Sequence, residues 1–378
     1  RADAPLILNV GSGDPDTGTG EFRNYGSVLP GGNITNTGRF RFFHGAVELG
    51  GGGEFINAPS GWAYTGSTGG ATISAMTRNQ GNFRLGGGSM LVSSWAAFIN
   101  EGSFHITAGG MSGVGGFVNR GLVRAELNNP AATSYIGLVF VPDTESGGTV
   151  HAVAGNLNFN IEVTGLDQGN LERGLWIADS GATIRFPHTV THLSGTAILV
   201  GDKASFTNVS LDSISGRGEL TTKEWDSLGD LFLDDGELNV ELGGNGVQVN
   251  GKLTNGSGGN INIEPGAQLG ANQLDNGEDG FESVVPELAP IVVIAKVSAP
   301  PVIVTPLLNN HGRILPGGWS EIGTMHLIGN LVQHPAGELD IDLGPDQGEG
   351  QQDQLTIDGN ATLAGSITVH LQQDFWPT

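Results

Sequence analysis

Between Ile34 and Arg124 polar and apolar residues alternate in short runs, and one phrase returns five times as ITNTGRF, FINAPSGW, TRNQGNF, FINEGSF and FVNRGLV. Its asparagines, Asn36, Asn57, Asn79, Asn100 and Asn119, lie 21, 22, 21 and 19 residues apart. A glycine follows each one closely: Gly38, Gly61, Gly81, Gly102 and Gly121. Past the glycine the apolar residues alternate, as in Phe40 with Phe42, Phe83 with Leu85 and Phe104 with Ile106, which is the period of a strand. A turn-and-strand phrase repeating near 20 residues predicts coils that bury their apolar faces only against one another. The fold expected is therefore all-β, a parallel β-helix (β-solenoid) with coils of about 19–22 residues, right-handed because parallel crossovers overwhelmingly are. Asn and Gly suit the corners because both tolerate left-handed backbone, and stacked Asn side chains form hydrogen-bonded ladders.

Elsewhere the rhythm is looser. Residues 6–11 read as an opening strand, followed by the turn-rich GSGDPDTGTG, where Asp14 and Asp16 are candidate calcium ligands without the spacing or terminal Glu of an EF-hand loop. NYGSVLPGG, starting at Asn24, returns as NHGRILPGG, starting at Asn310, which adds Asn310 and Gly312 to the turn residues. GWAYTGSTGG, from Gly61, reads as an aromatic-rich excursion. Short strands continue from Tyr135 to Leu242 and from Gly246 to Leu269, and no window sustains a helical period. From Asp275 to Pro306 the pattern breaks. The acids Asp275, Glu278, Asp279 and Glu282 precede VVPELAPIVVIAKVSAPPVIVTP, whose five prolines argue against a central strand over much of it. The preferred reading is an outer excursion over an apolar groove. The other is an exposed strand, Ile291 to Val297, with Ile291, Val292, Val293 and Ile294 as self-association residues. The organisation expected is coils over 1–274, an acidic and proline-rich excursion over 275–306, and further coils over 307–378 continuous with the first.

Composition narrows the function classes. Lys+Arg 16 against Asp+Glu 39 gives a formal net charge of −23, which disfavours nucleic acid as a partner and keeps a β-rich chain soluble. Gly 64 without a triplet period argues for turns rather than collagen, and there is no cysteine. No apolar run approaches the roughly 20 residues of a membrane-spanning helix, so membrane insertion of this segment is not expected. The start, Arg1-Ala2-Asp3-Ala4-Pro5, fits a chain whose signal peptide has been removed.

From Asn310 onward the sequence resembles the β-strand repeat region of autotransporter passengers and of related large secreted proteins of environmental bacteria. The pieces that carry the resemblance are Leu315-Pro316-Gly317-Gly318, Ile328-Gly329-Asn330-Leu331 with Gln333, Glu338-Leu339-Asp340-Ile341-Asp342-Leu343, Asp353-Gln354-Leu355, and Gly359 through Gly365. The resemblance implies a right-handed parallel β-helix that is secreted, extracellular or on a bacterial cell surface. It also implies a chain that would continue past Phe375-Trp376-Pro377 in a longer parent. No catalytic residue comes with it.

Candidate chemistry is thin. Glu338, Asp340 and Asp342 alternate with apolar residues, as do Glu237 and Glu241 around Asn239; such acids share one strand face, about 7 Å apart, and paired carboxylates support glycoside hydrolysis at suitable separation. Apolar-in, polar-out alternation explains them equally. His188 and His192 would sit roughly 13 Å apart on a strand, too far to share a metal. Lys and Arg are scarce and unclustered along the chain. Asp275 and Asp279 join Asp14 and Asp16 as candidate calcium ligands, and no other cofactor is expected. Trp62, Tyr64 and Trp95 are candidate sugar-stacking rings. The function expected is a non-enzymatic structural or adhesive solenoid whose partner is either itself, as a head-to-tail filament, or a surface polysaccharide. The alternative is a carbohydrate-active β-helix, lyase or hydrolase, or a carbohydrate-binding solenoid.

Overall fold

The computed structural model describes residues 6–8, 21–24, 32–42, 45–47, 53–65, 70–93, 96–143, 148–256, 258–277, 290–293, 300–317, 322–344 and 352–371. They form parallel stacked coils, a β-solenoid of about 12 turns. Among the described residues there is no α-helix, and the helical turn Lys203–Ser205 is 3-10. The coils group into two compact units, one of Arg1–Gly169, Arg173–Thr189 and Ala204–Asn208, the other of Asn170–Glu172, Val190–Lys203 and Val209–Thr378.

In the first unit the repeated asparagines end successive strands, Ile34–Asn36, Glu54–Asn57, Met76–Asn79, Ala97–Asn100 and Ser103–Asn119. The parallel register places each asparagine on the next. All five are fully buried. The Nδ2 of Asn36 donates to Oδ1 of Asn57 at 2.8 Å, and the bond repeats from Asn57 to Asn79 at 2.7 Å, Asn79 to Asn100 at 2.8 Å and Asn100 to Asn119 at 2.8 Å. Each Nδ2 also donates to a strand carbonyl, of Trp62, Asn82, Ser103, Leu122 or Thr149, at 3.0–3.1 Å. A buried amide is thereby satisfied at every level, as burial of a polar group requires. The ladder stops where Pro142, which carries no such amide, takes the place opposite Asn119.

The reason for the glycines differs from the one expected. None of these asparagines, nor Gly61, Gly81, Gly102 or Gly121, has a positive φ. What excludes a side chain is the coil beneath: a Cβ on Gly102 would lie 2.2 Å from the Gly81 carbonyl oxygen, and one on Gly121 would lie 2.1 Å from that of Gly102. A glycine column thus runs beside the asparagine ladder, set by close approach rather than by left-handed backbone. Trp62–Thr65, read from sequence as part of an excursion, is a strand of the stack. It pairs in parallel with Arg39–Phe42 on one side and Asn82–Val92 on the other.

The interior of this unit is aromatic. Phe83, Phe98, Phe104, Phe117 and Phe140 are fully buried and meet their neighbours at centroid distances of 5.1–5.4 Å, and Phe159, Trp176 and Phe186 continue the run. Such ring pairs contribute about 0.5–1.5 kcal/mol each beyond burial.

In the second unit the interior is mainly aliphatic, with Leu220, Leu238, Leu253, Ile261, Leu274, Leu308 and Leu331 buried. A second ladder joins Asn255 to Asn276 at 2.9 Å and Asn276 to Asn310 at 2.7 Å. Gln333 stands in the next position, but its longer arm donates to the carbonyls of Gly337, Ala364 and Ser366 instead. Pro290–Val293 is a strand with a parallel partner on each side, Asn260–Ile263 and Arg313–Leu315. Proline is tolerated there because it is the first residue of the strand. For these four residues this differs from both readings: they belong to a coil, Ile291 and Val292 have both backbone edges taken within the chain, and Val293 pairs with Ile263. Ile294 lies outside the described residues. In the strand Ser366–Leu371, Ile367 follows Leu339 and the buried Ile314 in register, and Ile367, Val369 and Leu371 are 51–58% exposed.

Two substitutions test this account. Asn79→Ala removes a rung that donates twice and accepts once, and should lower unfolding free energy by about 3 kcal/mol in urea titration; a loss below about 0.5 kcal/mol, the surface-substitution range, would contradict it. Gly102→Ala should destabilise by about 2 kcal/mol or more through forced coil separation, read as a lowered melting temperature.

Candidate functional site

The parallel register does on the outer surface what it does inside, and collects residues that are far apart in sequence. Arg41, Tyr64, Arg84, His105, Arg124 and His151 form one outward row across consecutive coils of the first unit. In a chain of net charge −23 this row is cationic and aromatic. Its members do not share one state. The Arg41 guanidinium lies over the Tyr64 ring at 5.1 Å, Arg124 pairs with Glu126 at 3.1 Å, and His151 Nε2 meets Asp179 Oδ1 at 2.9 Å. Arg84 donates through Nε to Thr107 Oγ1 at 3.5 Å, and among the described residues no carboxylate lies within ion-pair distance of it. Burial, with Arg124 and Arg84 beside it and Glu126 opposing, holds the His105 imidazole below its usual value.

Beside this row lies a groove of about 720 Å³ lined by Trp62, Asn82, Phe83, Arg84, His105, Thr107, Glu126, Leu127, Asn128 and Ala154. Leu127 N donates to the Ala154 carbonyl and Asn128 N to that of Thr107, so the loop after Leu122–Glu126 is anchored as a wall. The reading that Lys and Arg are unclustered is thereby corrected. The signal was present in the repeat: Arg41, Arg84, His105 and Arg124 each stand five residues beyond a ladder asparagine. Tyr64 stands seven beyond Asn57 because the corner at Ala58–Gly61 is two residues longer.

The carboxylates singled out at 338–342 do share one face, but they are not exposed. Asp340 and Asp342 are 4% and 6% exposed. Arg313 Nε lies 3.2 Å from Glu338 and 3.4 Å from Asp340, His370 Nε2 lies 2.7 Å from Asp340, and Thr368 Oγ1 donates to Glu338. Asp353 returns over this face: its carboxylate accepts from Gly323 N at 2.7 Å and Asp342 N at 2.9 Å. Burial, with Asp342 and Asp340 nearby, pushes the Asp353 carboxyl up to about 6 against those two N–H groups. Burial likewise raises Asp342. Burial pushes Glu338 up too, but the Thr368 hydrogen bond and the Arg313 guanidinium outweigh it and hold Glu338 below its usual value. At 237–241 the acids are interleaved with amides, Asn262 donating to Glu237 at 2.7 Å and to Asn239 at 2.7 Å.

The remaining candidates divide. Trp62 and Tyr64 are half-buried on the outer face of neighbouring positions of one strand, Trp62 lining the groove; Trp95 lies outside the described residues. Asp14, Asp16 and Asp279 lie outside them as well. Asp275 is engaged by Gln273 and Asn309 at 2.9 Å and by Lys252 at 2.5 Å. Burial opposes them, yet these partners hold its carboxyl below the usual value. Among the described residues no three His, Asp or Glu side chains group as a metal site, and no helix is long and apolar enough to cross a membrane. His188 is exposed, while both ring nitrogens of His192 contact serines, Nε2 with Ser215 Oγ at 2.8 Å and Nδ1 with Ser213 Oγ. Sequence reasoning missed this cluster because the serines come from the neighbouring coil.

Compared with protein-family models, curated proteins and solved structures, the chain has no match.

The Asp353 value carries a pH prediction. The folded value lies above the ordinary 3.8, so the proton favours the folded coil. That contribution is fully present below pH 3.8 and is lost as the pH rises through about 6. Carbon-detected NMR should show the Asp353 carboxyl titrating near 6, and a midpoint near the ordinary 3.8 would refute the burial argument.

Proposed function

We propose that this chain is a non-enzymatic structural or adhesive β-solenoid, secreted or displayed on a bacterial surface in the manner of the autotransporter passenger repeats that its C-terminal region resembles. The observation that carries the reading is the pair of buried asparagine ladders. The most regularly repeated polar side chains of the sequence are spent on holding coil to coil, which is what a scaffold needs. The excess of acid over base supports the same reading, since it keeps a long β-rich chain soluble.

The alternative, a carbohydrate-active enzyme, is favoured by one observation, the Asp353 carboxyl raised to about 6 next to Asp342 and Asp340. Against it, both oxygens of Asp353 are held by backbone N–H groups and the group is 6% exposed, whereas a catalytic acid must reach its substrate.

Two measurements test the proposal. Protease treatment of intact cells should remove the protein, and a panel of acidic and neutral polysaccharides should gain no new reducing or unsaturated ends. Sustained turnover abolished by Asp340→Asn would replace the scaffold reading with the enzymatic one. Filament assembly belongs to the same proposal and is read from sedimentation, where a single species at all concentrations removes it.

A further inference from the structure

We infer that the groove beside the cationic row of the first unit binds a carboxylated sugar chain, with a pyranose ring on Trp62 and a uronate carboxylate on Arg84. The inference rests on the adhesive reading and names its partner. Trp62 pairs with Asn82, and Arg84 stands two residues farther along that strand. One strand spacing and one two-residue step separate the two side chains by about 8 Å, a span that a sugar ring and its carboxylate bridge. Trp62 is half-buried, and among the described residues no other ring stacks on it, so its indole is available to an apolar sugar face. Arg84 offers a planar fork suited to bidentate carboxylate contact. Asn82, Thr107 and Asn128 line the same groove and supply hydroxyl-binding groups.

The charge count selects this ligand over the other stacking polyanion, single-stranded nucleic acid. A nucleic acid presents a phosphate at every residue, needs several unpaired cations in line, and meets a chain of net charge −23. Here Arg124 is paired with Glu126, Arg41 lies over Tyr64, and burial holds His105 toward its neutral form. Arg84 is left as the cation of the groove, which fits one carboxylate per few sugars. Glu126 also lines the groove, and its pairing with Arg124 keeps its charge from opposing the ligand.

The experiment is calorimetric titration of the full chain with a polygalacturonate hexamer, its fully methyl-esterified counterpart and a single-stranded oligonucleotide. The expected result is binding of the free-acid hexamer, weakened about tenfold by esterification and about tenfold by either Arg84→Gln or Trp62→Ala. Arg217→Gln, an exposed charge in the other unit, should leave binding unchanged, and melting temperatures confirm that the variants fold. Equal affinity for the esterified hexamer, no effect of Arg84→Gln, tighter binding of the oligonucleotide, or no binding at all would each overturn the inference. The scaffold reading fails separately: a protein found inside the cell refutes it whatever the purified groove binds, and a surface protein that ignores the hexamer refutes only the groove.

Discussion

Parallel stacking in register is the constraint from which the rest follows. Every side chain has as its neighbour the equivalent residue of the next coil, about 4.8 Å away, so each position must be filled by groups that tolerate their own kind or alternate with a complement. Asparagine meets this requirement inside the protein, because its amide carries both a donor and an acceptor and can bond to another copy of itself without limit. Phenylalanine meets it through stacked rings, as in Phe98 on Phe117 and Phe83 on Phe104. Glycine meets it by having nothing to clash.

Charges cannot stack on themselves, and the outer surface shows two ways of arranging them. In one oblique chain of contacts across the coils the signs alternate, Glu54, Arg78, Glu101, Arg120 and Asp143, at 2.5–3.4 Å. Such partly exposed pairs are weak singly and gain from forming a network. Along the cationic row the guanidiniums of Arg41, Arg84 and Arg124 are spaced by the rings of Tyr64 and His105. The His105 imidazole, held toward its neutral form, serves there as a spacer between Arg84 and Arg124, whose own charge is paired with Glu126.

The fold was legible because the same constraint writes a period into the sequence. Asn36 to Asn119 announced the coils, and the ladder they were expected to form is the one observed. What was misread depended on register that a linear string does not display. The cationic row hides at a fixed offset from the asparagines and is interrupted by the longer corner at Ala58–Gly61. Asp340 is flanked by Arg313 and His370 of the neighbouring coils, and Asp353, eleven residues past Asp342, folds back to accept from the Asp342 N–H. Pro290–Val293 was obscured by the prolines in and around it, although a proline at the first position of a strand leaves the remaining ladder intact.

The corner at Ala58–Gly61 carries a further consequence. Its two additional residues leave Asn57 bonded to Asn79 at 2.7 Å and the next strand in register. Length variation is thus absorbed in the corners while the ladder passes undisturbed from level to level. For such a chain the coil is the natural unit of inheritance. A duplication or loss of one whole coil closes the asparagine column behind it and changes the reach of the outer surface by a single step, so lineages can lengthen or shorten the protein without redesigning its interior.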